Sequence, residues 1–297
     1  MKAVVLAALV GVVHVHHAPS HDSSAPFEAV LAGADQAGLD FVVLTEHADV
    51  ARAAPLPGAE LAGVHVAPSG RRILVLVGAE FATRDGHLLG LAIEHAVPAA
   101  GRAGADVIAD VHAQGGFAVV PHPFSHGGWH AWDAGFDGLE VQNTASDFTR
   151  LWGPLLPFRL ARFAFDPADE LAELWRRPDA ELAKWDELLA AGRRVAGFAG
   201  ADAHQNVSVL GWQLDPYLQS FSGPRMVCPD APLKPAAVWR LLRSGACLIR
   251  WQNFASRAAE AAEVRFPSGR LERQLDGGAR VWEVTNPPFD APLYSAP

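Results

Sequence analysis

Short apolar runs that suit buried strands alternate with helical patterns through the first two-thirds of the chain, and this alternation predicts βα units feeding one sheet. Residues 9–16 read as the first strand, after which Ser23, Ser24 and Pro26 open a helix that Gly38 closes. Residues 41–45 are the next apolar run. Strands are predicted at 72–81 and 87–93, separated by the polar turn Thr83-Arg84-Asp85-Gly86. A helix at 105–114 stops at Gly115-Gly116, a short buried strand follows at 117–120, and runs at 138–142 and 195–199 complete the series. Between Thr144 and Arg194 the pattern changes to helical stretches such as 170–177 and 180–191, which reads as an insertion after a strand. Trp129, Trp132, Phe148 and Trp152 gather near its start, where they either line a substrate pocket or pack a helical lid. Beyond a helix at 235–245 the chain turns to β-like runs at 246–251 and 279–284, then to a Pro-rich extended end from Pro287.

Composition narrows the classes. Half of the 297 residues are hydrophobic and 19% are charged, so the chain can bury a large core. A net charge of −9 argues against a basic face that grips long nucleic acid through its phosphates. Bound cations can still supply local positive charge for an anionic small molecule inside an acidic protein. Cys228 and Cys247 are too few for a disulfide framework and lack CxxC spacing, so they are expected to be buried small residues. Lys2 and the apolar run at 3–13 resemble a signal peptide, but the run passes directly into His14-Val15-His16 with no small-residue cleavage site. It is also shorter than the roughly 20 apolar residues of a spanning helix. The expectation is a cytoplasmic protein without a membrane partner.

The candidate chemistry lies in the placement of the thirteen histidines and their acidic neighbours. His14 and His16, two apart on a strand, emerge on one face. Asp22 follows in the loop after that strand, and His47 ends the second in Leu44-Thr45-Glu46-His47. Glu80 follows the run at 74–78, His122 sits in Pro121-His122-Pro123, and Asp202 and His204 follow the run at 195–199. Each residue alone has a structural explanation: His47 as a helix cap, Glu80 in an arginine pair, Asp202 capping its loop. Five strand ends presenting His, Asp or Glu together are costly to bury without partners, and in α/β barrels the loops after the strands converge on one face. A metal site is the joint reading.

These segments, with Ser20-His21-Asp22 and Gly78-Ala79-Glu80, resemble the ordered motifs of the PHP (polymerase and histidinol phosphatase) superfamily from about His14 to about Gly245. The resemblance implies a distorted (β/α)7 TIM-like barrel over residues 1–250, with the helical insertion at about 144–194 and a short β-rich extension at 251–297. It implies two or three divalent metal ions, Mn, Zn or Fe. His14, His16, Glu80 and Asp202 would hold the first; Glu80 would bridge to a second held by His122 and His87. Asp22, His47 and His204 would hold a third. His87 begins a strand, and His95 and His112 compete for its place. Val12 and Glu46 depart from the acidic residue and the Asp usual in the pattern, and Asp22 replaces a histidine found in some members; the mixed N/O set leaves the metal open. Phrases such as 136–143 look closest to a carbaryl-hydrolase-like branch.

The implied activity is hydrolysis of a small phosphoester by a metal-bridging hydroxide, with Glu80 and Asp202 catalytic through the metals, which sit about 3.5–4 Å apart in such centres. No GxSxG elbow, P-loop or GxGxxG fingerprint suggests another route. His21, His126, His130 and Arg150 are candidates for leaving-group protonation or substrate anchoring. The alternatives are a carbamate or carboxylic ester hydrolase on the same centre, served by the aromatic cluster, and a metal-binding PHP module without turnover.

Overall fold

The computed structural model describes residues 8–125, 127–148, 154–165, 170, 174, 176–209, 211–252, 262–276, 280–287 and 289. His126, Arg150 and Trp152, the side chain of Phe148, and residues 171–173 and 175 of the 170–177 stretch lie outside that description.

The apolar runs pair into one mixed sheet of fourteen strands, parallel at its centre. The first strand, Ala8–Val15, is its hub. It pairs in parallel with Phe41–Leu44 on one side and with Ala196–Ala203 on the other, and its first half pairs antiparallel with Arg225–Pro229. Phe41–Leu44 continues to Arg72–Val77. Ala196–Ala203 continues through Gly138–Asn143 to Phe117–Val120, and then antiparallel through Gly86–Leu91 to Ala79–Thr83. The helices Phe27–Gln36, Gly104–Ala113 and Asp179–Ala190 contribute buried residues such as Val30, Val111 and Trp185 to the core around these strands. The central strands are apolar on both faces, as covered parallel strands are: all four residues of Phe41–Leu44 and of Phe117–Val120 are buried.

The architecture is therefore mixed α/β with a large, parallel-rich sheet, whose strand ladder runs open from Ala262–Arg265 to Ala79–Thr83. The predicted strand at 72–81 is two strands separated by Gly78, where the Gly90 carbonyl leaves no room for a side chain. Asp202 and Ala203 lie within a strand and not in the loop beyond it.

Two further expectations change. Cys228 and Cys247 are buried, but they form a disulfide. Antiparallel pairing of Val227 with Leu248 sets the two cysteines directly opposite each other, a proximity that a spacing of 19 residues does not announce. The two described members of the aromatic set serve packing: Trp129 is buried against Gly104 and Phe136, and Trp132 lies between Phe124 and Phe136 with the Lys184 ammonium 4.7 Å from its ring centre. After Leu248–Gln252 the strands Ala262–Arg265, Leu271–Asp276 and Arg280–Thr285 extend the same sheet. The buried guanidinium of Arg270 pairs with Asp186 of the helix Asp179–Ala190 and with Glu272. No helix among the described residues is long and apolar enough to cross a membrane.

Candidate metal centre

All nine residues singled out in the sequence meet in one place. Their ligand atoms form three groups, each within 4.8 Å: His14, His16, Glu80 and Asp202; Glu80, His87 and His122; and His16, Asp22, His47 and His204. Glu80 divides its two oxygens between the first two groups. Its Oε2 lies 3.0 Å from His14 Nε2 and 3.2 Å from His16 Nε2, while its Oε1 lies 2.8 Å from His87 Nδ1 and 3.2 Å from His122 Nε2. Asp202 Oδ1 is 3.3 Å from His14 Nε2. Asp22 Oδ2 stands 3.0 Å from both His47 Nε2 and His204 Nε2. His95 is exposed and its backbone bonds to Gln114, and His112 pairs with Asp137, so neither joins. His87, although it begins a strand, does.

The backbone that delivers these side chains is strained where they attach. His14 (φ 67°), His122 (φ 25°) and Asp202 (φ 49°) occupy the left-handed region, which costs a non-glycine residue about 1–3 kcal/mol and persists where the surroundings over-determine it. In the first strand the strain coincides with a shift of register between Val12 and Val15, so His14 is an extra residue relative to Phe41–Leu44. Asp202 lies at a matching shift opposite Val13 and Val15. His14 and His16 do converge, with ring centres 5.0 Å apart, but through a bulge and not through plain alternation.

The second ring nitrogens are held by the protein. His14 Nδ1 donates to Glu140 Oε1 at 2.8 Å, His204 Nδ1 donates to the Asp202 carbonyl at 2.9 Å, and His16 Nδ1 and His122 Nδ1 lie 3.0 and 2.9 Å from the hydroxyls of Ser20 and Ser125. Fixing one nitrogen aims the other, the arrangement that orients histidine towards a metal. Four buried polar atoms of the cluster, His16 Nε2, His87 Nδ1, His204 Nε2 and Asp22 Oδ1, make no hydrogen bond. Buried polar atoms are rarely left so. Imidazole nitrogens and carboxylate oxygens with unused lone pairs suit a borderline divalent cation, so the donor set fits the implied metals.

Without cations the cluster takes up protons instead. Burial is the largest influence on His14 and favours its neutral ring, but the charges of Asp202, Glu140 and Glu80 outweigh it and raise its pKa well above the ordinary value. His204 is raised to about 9 by the neighbouring carboxylates of Asp22 and Asp202, against burial. For His16 burial wins and the pKa falls. Glu80, despite burial, is held well below the usual carboxylate range by His14, His122 and His16, and Asp202 drops to about 2 beside His14 and His122. The carboxylates of Glu80, Glu140, Asp202 and Asp22 thus set the charge of the histidines around them.

Glu140 is the residue the sequence reading missed. Buried in the strand Gly138–Asn143, it also accepts from the His122 backbone N–H and from Asn143 Nδ2, both at 3.0 Å, and Asn143 reaches Asp202 Oδ2 at 3.2 Å. A lone acid within an otherwise uncharged buried strand was the available signal. Glu46, noted only as a departure, is fully buried and ion-paired with His17. Of the candidate acids and anchors, His21 is exposed with its ring 4.7 Å from that of His47, and His130 is exposed with its N–H on the Asp85 carbonyl.

A cleft of about 400 Å³ opens beside His122, lined also by Phe124, Gln142, Asn143, Arg176 and Glu181. Trp129 and Trp132 are not in its wall.

No family model and no curated protein matches the chain. Among solved structures, it is similar at 15% identity and a TM-score of 0.49 to a two-domain protein containing a predicted PHP-like metal-dependent phosphoesterase from Bacteroides vulgatus, covering 96% of this chain and 88% of that one. It is also similar, at 14% identity and a TM-score of 0.37, to a protein assigned by inference as a metal-dependent phosphoesterase from Bifidobacterium adolescentis, covering 71% of this chain and 93% of that one.

Proposed function

We propose that this protein is a PHP-type metal-dependent hydrolase that cleaves a small phosphoester. The observation that carries this reading is the division of the Glu80 carboxylate between two histidine groups, with His16 shared with a third. Such an arrangement suits two or three divalent ions, the first held by His14, His16, Glu80 and Asp202, the second by Glu80, His87 and His122, and the third by Asp22, His47 and His204. Ions bound there would bring the pKa of a coordinated water towards about 7 and neutralise charge developing on phosphoryl oxygens.

The chain's own contribution is orientation. Glu140 and the Asp202 carbonyl lock the tautomers of His14 and His204, and Asn143 steadies Asp202. His122 belongs both to the cluster and to the cleft wall, so a substrate seated in the cleft reaches the centre from that side. We further read residues 1–250 as the hydrolase domain and 251–297 as a β-rich extension whose described strands continue its sheet. If Arg72–Val77 and Ala79–Thr83 are taken as one strand bent at Gly78, the pairings trace a ring of seven strands, which supports the distorted barrel.

The test is a hydrolysis screen on protein stripped of metal and reloaded with Mn, Zn or Fe. Nitrophenyl phosphate should be cleaved, chelation should abolish the activity, and metal should restore it. Faster cleavage of aryl carbamates or carboxylic esters than of every phosphomonoester and phosphodiester would replace the phosphoesterase reading. Metal-loaded protein inert towards all of them would leave a non-catalytic module.

A further inference from the structure

The lining of the cleft holds a residue that the metal centre does not explain. Arg176 is the one arginine or lysine in the lining among the described residues, it is exposed, and it makes no hydrogen bond or ion pair. It contributes nothing to folding by pairing, yet the backbone on both sides of it is anchored. Leu174 is buried with Phe163 and Leu214. Arg177 gives Nε and Nη2 to the two oxygens of Glu272, at 3.0 and 2.5 Å, and its guanidinium lies 5.5 Å from the centre of the Trp282 ring. Pro178 also lines the cleft and leads into the helix Asp179–Ala190. The C-terminal strands thus hold in place the segment that presents Arg176 to the cleft.

We propose that Arg176 anchors a second anionic group on the leaving-group side of the substrate, so that the substrate is a small phosphoester bearing two separated anions. This rests on the phosphoesterase reading of the metal centre. A guanidinium fork matches a carboxylate or phosphate with two parallel hydrogen bonds, and its charge never depends on pH in the working range. In a chain of net charge −9, and in a lining that also holds Glu140, Asp147 and Glu181, Arg176 is the cationic side chain that can draw in an anion the rest of the surface repels. The cleft volume suits a small molecule and not a polymer. Phe124, 49% exposed in the same wall, offers a flat face to a ring that spaces the two anions.

The experiment uses the full chain loaded with metal and two pairs of probes: phenyl phosphate against 4-carboxyphenyl phosphate for turnover, and the corresponding phosphonates for calorimetric binding. The wild type should bind the carboxylated phosphonate about tenfold more tightly than the plain one, the yield of one charge-assisted contact, and the same preference should appear in KM. In Arg176→Ala the ratio should fall to about one, Arg176→Lys should retain part of it, and added salt should compress it. A wild-type ratio near one, or an undiminished ratio in Arg176→Ala, overturns the anchor. If phenylphosphonate binds and phenyl phosphate is cleaved while the carboxylate adds nothing, the anchor alone has failed. If no phosphoester is cleaved and neither phosphonate binds, the phosphoesterase reading has failed and the anchor falls with it.

Discussion

Replacing Glu140 with glutamine separates a positioning role from mere burial of a charge. Three donors converge on its two oxygens: His14 Nδ1 on Oε1, and the His122 N–H and Asn143 Nδ2 on Oε2. A glutamine has one acceptor. If its NH2 faces His14, that ring must move its proton to Nε2, the nitrogen aimed at Glu80 and Asp202, and ligation is blocked. If the NH2 turns the other way, His122 and Asn143 lose their acceptor, at about 1–3 kcal/mol for each buried unsatisfied donor. Metal affinity should therefore fall about 10- to 100-fold, the usual loss for a residue that supports a metal ligand. The melting temperature should fall by about 2–4 °C per kcal/mol. Chelator competition measures the first and calorimetry with and without metal the second. Gly200→Ala should give the same phenotype without touching a charge, because a methyl group there falls on the Glu140 carboxylate. Wild-type metal affinity in both variants would refute the reasoning.

Glu80→Gln and Asp202→Asn should each remove nearly all turnover with the fold retained, and His87→Ala should impair activity where His95→Ala does little; circular dichroism alongside rate assays checks this, and the reverse histidine pattern would overturn the second group. In metal-free protein the stability contributed by His204 should be full below its unfolded pKa near 6.5 and lost as pH rises through about 9. That contributed by Asp202 is present above the ordinary carboxylate range and lost as pH falls towards about 2; melting curves from pH 2 to 10, with and without metal, follow both. Reducing the Cys228–Cys247 bond should cost about 3 kcal/mol for a loop of this size, visible as a lower melting temperature with reductant, and intact mass should show the bond in protein purified from oxidising surroundings.

Most of the ligands were legible because they lie within or just beyond an apolar strand and would be expensive to bury alone, while Asp22 in a loop and His87 at a strand start were legible from the resemblance. That pattern survives even where its geometric reason differs, as at His14, where a bulge and not alternation turns the ring inward. Glu140 was hidden because it bonds ligands without ending a strand. The disulfide depends on a register between Arg225–Pro229 and Leu248–Gln252 that no local pattern encodes. The strands Ala262–Arg265 and Leu271–Asp276 escaped because they are too charged to show an apolar run, and Arg270 and Glu272 find their partners only in the folded chain. Gly78 separates two strands in a run that reads as one, and the carbonyl that excludes a side chain there belongs to a strand still to come.

The central claim is that nine side chains form one multinuclear site, and the direct measurement is elemental analysis of the reconstituted protein against its concentration. Two to three divalent ions per chain are expected, since nine ligands exceed the roughly six that one such ion takes. Glu80→Gln should lower that number because it withdraws a charge from two of the three groups. One ion or none in the wild type, after loading with each candidate metal, would contradict the account.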